Sequence, residues 1–336
     1  MKKLDKLLTK ILIFSIILFT FSIIFSKKEK SSPKPVESAL LNPKYKNEVS
    51  EIEIQIPSQN GAITLKKQGD FWLLVKNEGK GTAEIRTFAD KKLVTSFIEK
   101  TSEIRRLYQV SDRESDFEGL ETSDNTGITA NFSGNNSKMY TKLHFGSTNS
   151  ITNRTFVRSE GSKITYETEN DLSQFLTTDT NYWSEGEILP GDILKRTKLV
   201  EMSFEEKSVK STLDEKSENF VSKSGTLLSL RHGSIKSEED FLSIMQGQNP
   251  NPAAILNAQD GSGRKIRIEF FEYEEENHSD SEREAASKDF SKSYLYKKSV
   301  IPSPAETQEN AFAYYSENAF YEISAWTYDK IRAQFF

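Results

Sequence analysis

Two stretches of this chain align without a gap at an offset of 148 residues over roughly fifty positions, a self-similarity that points to two copies of one supersecondary unit. Ile52, Ile54 and Ile56 fall on Val200, Met202 and Phe204, each set alternating with polar residues as a strand with one buried face requires. Leu65 falls on Leu213, and Asp70-Phe71-Trp72-Leu73 on Glu218-Asn219-Phe220-Val221, which predicts a third short strand with an inward aromatic in both copies. Leu93, Val94 and Phe97 fall on Phe241, Leu242 and Met245, the spacing of one apolar stripe on an amphipathic helix. Ser237-Glu238-Glu239-Asp240 has the layout of a capping box, and Thr87-Phe88-Ala89-Asp90 is a looser version of it.

Beyond that helix the copies differ in length but keep their order. Ile128–Phe132 resembles Ile266–Phe270 at an offset of 138. Strands are then expected at 138–145, 155–158 and 163–168 in the first copy, and at 293–298, 311–315 and 320–323 in the second. Each copy closes on a short helix, at 170–176 and 326–335. The expected fold class is α+β: two duplicated units of mostly antiparallel sheet with covering helices, at 49–180 and 198–336, joined by a connector at 181–197. The alternative is two unrelated α+β domains whose short alternating strands align by chance.

The N-terminus is of a different kind. Leu7 to Ser26 is interrupted only by Lys10 and small hydroxyls, long enough to span a hydrocarbon core of about 30 Å at about 1.5 Å per residue. Residues 1–30 are therefore read as a cytoplasmic tip and single transmembrane anchor, with the body extracytoplasmic, in the periplasm. A cleaved signal peptide competes with this, but small-x-small cleavage chemistry is missing before Lys27 and Lys28. Residues 31–48, with Pro33, Pro35 and Pro43, read as a stalk.

Seven lysines against Asp5 and Glu29 give residues 1–30 a net charge of +5, which leaves −10 on the rest of a chain whose total is −5. A body so acidic argues against nucleic acid as a partner. The absence of cysteine excludes disulfides, thiolate metal sites and a cysteine nucleophile. Of the three histidines, His144 alternates with Leu143 and Phe145 and reads as an exposed strand residue, and His232 sits in a turn. His278 lies with Glu276 and Asp280 in the acidic segment 272–288, which lacks the spacing and glycine of a calcium loop. Gly-x-Ser-x-Gly is missing, Ser262 to Lys265 opens no helix, and Gly79-Lys80-Gly81 and Gly261-Ser262-Gly263 read as hairpin turns rather than phosphate cradles. No catalytic, cofactor-binding or metal-binding residue is assigned, and no cofactor is expected.

Several short motifs resemble the bacterial family catalogued as domain of unknown function number 4340. They are Ile-x-Ile-x-Ile at 52–56, Phe71-Trp72-Leu73, the helix at 91–104, Phe117-Glu118-Gly119-Leu120, Leu143-His144-Phe145-Gly146 and Thr155-Phe156-Val157-Arg158. The resemblance implies one N-terminal membrane helix and an association with gliding-type ABC transporter components, and it carries no catalytic residues. The chain departs from it in the acidic 272–288 segment and a short tail.

Aromatic residues crowd the C-terminal stretch, and aromatic side chains are favoured at interfaces. Trp183, Tyr314, Tyr321 and Trp326 are the candidate interface residues, set against the alternative that such rings fill the second core. The expected function is that of a membrane-anchored accessory or scaffold protein binding a membrane partner, an ABC transporter of the gliding type. The alternatives are an envelope glycan or peptide hydrolase with cleft carboxylates, and a small-ligand-binding module feeding a transporter. A deep cleft with facing acids favours the hydrolase, a shallow tyrosine-lined face favours binding of a partner, and a closed apolar pocket near Trp183 favours the ligand module.

Overall fold

The computed structural model describes residues 34–58, 62–69, 71–77, 84–188, 197–204, 209–274, 292–301 and 316–336, with isolated residues 14, 15 and 303. The chain is α+β, with two antiparallel sheets and few helices. The first sheet contains β1 (Val36–Ser38), β2 (Glu51–Gln55), β3 (Ala62–Gln68), β4 (Phe71–Asn77), β5 (Ile85–Phe88), β6 (Arg105–Ser111), β7 (Ile128–Ser133), β8 (Met139–Asn149), β9 (Arg154–Ser159) and β10 (Thr165–Glu169). Their spatial order is β1-β6-β10-β9-β8-β7-β2-β3-β4-β5. The second contains β11 (Thr197–Phe204), β12 (Val209–Asp214), β13 (Ile235–Lys236), β14 (Ala254–Asp260), β15 (Lys265–Glu274), β16 (Lys292–Ile301) and β17 (Ser316–Ser324), in the order β12-β11-β14-β15-β16-β17-β13. The α-helices are α1 (Lys91–Ser102), α2 (Thr180–Trp183), α3 (Phe220–Ser229), α4 (Glu238–Ile244) and α5 (Ala325–Ala333).

The register of the opening hairpin repeats. Ile52 pairs with Leu65, and 148 residues further on Val200 pairs with Leu213. Six strands share one order in the two sheets, β3-β2-β7-β8-β9-β10 and β12-β11-β14-β15-β16-β17. In this order β7 corresponds to β14, which corrects the pairing of Ile128–Phe132 with Ile266–Phe270. The cause is chemical: every strand with one buried face carries the same alternation, so five residues of it identify a strand but not its place in the sheet.

Other sequence expectations are corrected locally. Phe220 and Val221 open α3 instead of a third strand, because Phe220, Ser224 and Leu227 fall on one helical face toward the second core while Val221 is left in solvent. Leu242 is also solvent-exposed, since the two-turn α4 packs only through Phe241, Ile244 and Met245. The cap of α1 is Asp90, whose carboxylate accepts from the Lys92 and Leu93 amides, whereas Thr87 belongs to β5. The capping box at Ser237 and Asp240 is present as read. Residues 36–48, read as stalk, belong to the first unit: β1 pairs with β6, and Leu40 and Leu41 enter its core. The hydrophobic run Leu7–Ser26 lies outside the described residues apart from Phe14 and Ser15, as do most of the acidic segment, His278, Gly79-Lys80-Gly81, the expected strand at 311–315 and Tyr314. No helix among the described residues is long and apolar enough to cross a membrane.

Each sheet buries one face. On the first, Ile52, Ile54, Ile63, Leu65, Phe132, Leu143 and Phe145 meet Val94 and Phe97 of α1 together with Phe175 and Trp183. On the second, Val200, Met202, Leu256, Ile268, Phe270 and Tyr296 meet Leu227 of α3 and Tyr328 and Ile331 of α5. The second core also takes in Leu73, Ile85 and Phe88 from β4 and β5, so the edge of the first sheet is buried against the second unit. Across that seam the Thr87 hydroxyl bonds the Tyr321 hydroxyl, and Asn318 accepts from the Arg86 amide at 2.5 Å while donating to the Glu84 carbonyl. Two backbone groups that an edge strand would leave open are satisfied this way.

Candidate functional site

An open groove of about 610 Å³ lies beside the start of β2, lined by Glu48, Lys67, Gly69, Asn135, Lys138 and Tyr140 among others. Tyr140, which lines it, is backed by a ring from a neighbouring turn. A 3-10 turn at Pro43–Tyr45, capped by the Asn42 side chain on the Lys44 amide, presents Tyr45, which stacks on Tyr140 from β8 at 4.3 Å between ring centroids. Tyr140 donates to the Glu48 carboxylate at 2.9 Å; desolvation, then Glu48, pushes its hydroxyl above the ordinary tyrosine range, so it remains a neutral donor. Gly134 is buried under that ring, and a Cβ there would fall on the Tyr140 hydroxyl and lie 2.7 Å from Cζ.

The rim is strained and basic. Asn136 and Ser137 both take left-handed backbone angles, φ 59° and 56°, which side chains other than glycine adopt at a cost. They carry the chain into Lys138, whose ammonium lies 5.6 Å from the Tyr45 ring centroid and 5.4 Å from that of Tyr140. Lys44 stands 4.6 Å from the Tyr45 ring. Lys44, Lys67 and Lys138 thus gather positive charge around two half-buried tyrosines, and Glu48 is the single carboxylate among the described residues lining the groove. The groove offers aromatic faces, amide donors and cations, and no pair of facing acids. It can hold a polar, extended, negatively charged segment. Composition gave no hint of it, because Tyr45 and Tyr140 are far apart in sequence.

The candidate interface aromatics scatter. Trp183 is fully buried in the first core against Phe97, Phe175 and Tyr182, with its indole N–H on the Thr177 carbonyl at 2.8 Å. Tyr321 is fully buried at the seam, stacked on Tyr296. Neither reaches the surface, because each is a large apolar ring whose polar atom finds a bond inside. Trp326 alone of the described three is in solvent, 62% exposed, with the Lys330 ammonium 3.8 Å from its ring. Packed rings of Phe97, Phe175 and Tyr182 surround Trp183.

His144 is also corrected: it is fully buried. Alternation does turn it away from Leu143 and Phe145, but residues 112–127 cross the outer face of the sheet and cover it, with Gly127 packed near its Cβ.

His232 sits at the seam, its Nε2 3.0 Å from the Glu185 carbonyl and its Nδ1 2.9 Å from that of Gly233. Burial, then Lys298, holds its pKa below the ordinary 6.5, with Arg231 acting the same way. Burial, then Asp90, raises the Glu185 carboxyl above its ordinary 4.5, while the Glu187 amide bonded to it and Lys298 oppose the rise. The signs are opposite. Below about pH 6.5 the unfolded chain binds a proton at this histidine that the folded state resists, so stability is full above that pH and falls on acidification; Glu185, with its carboxyl raised, has the opposite sign and contributes as pH falls toward 4.5. His232→Gln is therefore expected to flatten the fall in urea midpoint between pH 7.5 and 5.5; an unchanged slope contradicts the assignment.

Comparison with known proteins adds no relative: no family model matches this chain, and neither a curated protein nor a solved structure does.

Proposed function

We propose that this is a membrane-tethered scaffold of two duplicated α+β units that binds a protein partner in the groove lined by Tyr140, Lys67 and Lys138. The stacked tyrosine pair ringed by lysines carries the reading, since it is an open aromatic face with local positive charge on a body that is otherwise acidic. Electrostatics select an acidic extended segment for it, and the two rings supply contact area at little conformational cost. The hydrophobic run at 7–26 supports a tether, and the shared hairpin register and strand order support duplication. The resemblance to family number 4340 directs the partner toward subunits of a gliding-type ABC transporter. The bonded seam between the sheets suits a scaffold, because it fixes the groove relative to the second unit.

A photo-crosslinking amino acid at Lys138, in the full-length protein in its own membranes, is expected to give a discrete adduct that mass spectrometry identifies as a membrane-protein subunit. The same probe at Val221, exposed on α3, serves as the control. Gly134→Ala is expected to abolish the adduct by displacing Tyr140, at a stability cost of about 1–3 kcal/mol that leaves the fold intact by circular dichroism. Absence of an adduct at Lys138, or the same adduct from both positions, removes this reading.

A further inference from the structure

On the outer face of the first sheet a second constellation lies apart from the groove. His144 on β8 and Arg158 on β9 are paired across the ladder, Lys142 lies on the same face, and Glu160 follows directly after β9. The loop 112–127 folds over them and brings Asp124 to their side. Asp124, His144 and Glu160 each offer a ligand atom, all within 4.8 Å of one another.

The imidazole decides what the cluster can do. Its Nε2 lies 2.5 Å from Glu160 Oε2, so that nitrogen carries the hydrogen and donates to the carboxylate. Glu160 is held in turn by Lys142 at 3.3 Å, and it ionises more readily than an ordinary glutamate chiefly because of the histidine bond. With the hydrogen placed on Nε2, the neutral imidazole carries its lone pair on Nδ1. That atom is fully buried, has no hydrogen-bond partner among the described residues, and points toward Asp124 Oδ1 at 3.6 Å. A lone pair aimed at a carboxylate oxygen, with no proton between them, is unfavourable as it stands.

A cation between the two atoms resolves it. Two donors on one ion at bond lengths of about 2.1 Å, spread at a tetrahedral angle, stand about 3.4 Å apart, close to the observed separation. We propose that His144 Nδ1 and the Asp124 carboxylate form a binding site for a divalent transition-metal ion of the zinc class, with Glu160 fixing the tautomer of the imidazole from its far side and water completing the coordination. Carboxylate–histidine–metal relays are the usual way such a ring is oriented. The imidazole nitrogen favours zinc-class ions over magnesium or calcium, which prefer all-oxygen sites. Arg158 does not close the site. Its Nη2 donates to Asp124 Oδ1 at 3.2 Å and its Nε to the Thr122 carbonyl at 3.0 Å, which leaves the second lone pair of Oδ1 for the ion, and the guanidinium stacks on Phe117 at 4.3 Å. Asp124 is 70% exposed in its side chain, so an ion reaches the site from solvent.

The test uses the full-length protein in detergent, with Zn²⁺ titrated by calorimetry and Co²⁺ by its visible absorption. One saturable site is expected, lost by at least about tenfold in affinity in Asp124→Asn and weakened by about tenfold in Glu160→Gln. Because Asp124 is exposed, its substitution keeps the fold, and a long-range nitrogen–proton NMR spectrum of the metal-free protein is expected to show His144 bare at Nδ1 and protonated at Nε2. No saturable binding overturns the proposal, as does binding that Asp124→Asn leaves unchanged, for instance at His278 in the acidic segment. A spectrum with His144 protonated on both nitrogens at neutral pH overturns it as well.

Discussion

Truncating Trp183 to alanine is expected to lower the free energy of unfolding by about 3–5 kcal/mol, the range for removing a large buried aromatic. Trp183 is fully buried and touches three other rings, Phe97 at 5.9 Å, Phe175 at 6.1 Å and Tyr182 at 5.4 Å between centroids. Its backbone carbonyl also accepts from the Asp90 amide at 2.8 Å, which ties the residue after the first sheet to the cap of α1. The cavity left behind cannot close, since Phe97 and Phe175 are fixed by their own stacking at 4.9 Å. Trp183→Phe keeps most of the volume but loses the bond to Thr177, so its cost is expected to be nearer about 1–2 kcal/mol. Urea unfolding followed by circular dichroism ranks the two variants. Equal midpoints for wild type and Trp183→Ala place this residue outside the core and contradict the packing.

Gly146→Ala is expected to be nearly as damaging, at about 3 kcal/mol. A Cβ at this position overlaps the Leu120 backbone carbonyl and comes within 2.9 Å of Thr122 Cγ2. Backbone on the far side does not rotate away as a side chain does, so either β8 or the loop 112–127 must shift. The loop yields first. It is held over the sheet by the Arg158 bond to the Thr122 carbonyl, by the stacking of Phe117 on Arg158 and by a left-handed Glu121 at φ 55°. Lifting it draws Asp124 away from His144, so the variant is expected to lose Zn²⁺ binding along with stability. Faster hydrogen exchange of the Leu120 and Thr122 amides, with the β2–β3 hairpin unaffected, is the local signature. Uniform loss of protection across both sheets contradicts this order of events.

How much was legible follows from which interactions are local. The opening strands, α1, the Ser237–Asp240 cap and the Gly261–Gly263 turn were readable because periodicity, capping and turn chemistry act within a few residues. The turn is held by the Asp260 side chain on the Ser262 and Arg264 amides, with Gly263 at φ 92°. The match of Phe220-Val221 to a strand failed because an apolar pair between polar residues fits either period over so short a span. His144 was misplaced for another reason. Alternation says which face a strand residue takes but not whether a distant loop covers that face, and here 112–127 does. The three short motifs at Phe117–Leu120, Leu143–Gly146 and Thr155–Arg158 meet around that residue, a convergence their spacing in the chain does not reveal.

The chain by itself determined the α+β class, the repeated hairpin and the uneven split between a hydrophobic run at 7–26 and an acidic remainder, since these depend on period and composition alone. Tertiary structure alone decided that Tyr45 meets Tyr140, that Trp183 and Tyr321 turn inward, and that an imidazole is walled in between two carboxylates. The physical reason is that a side chain's chemistry depends on its desolvation and on the groups within a few ångströms, and those neighbours are brought together from distant parts of the sequence only when the sheets and loops close.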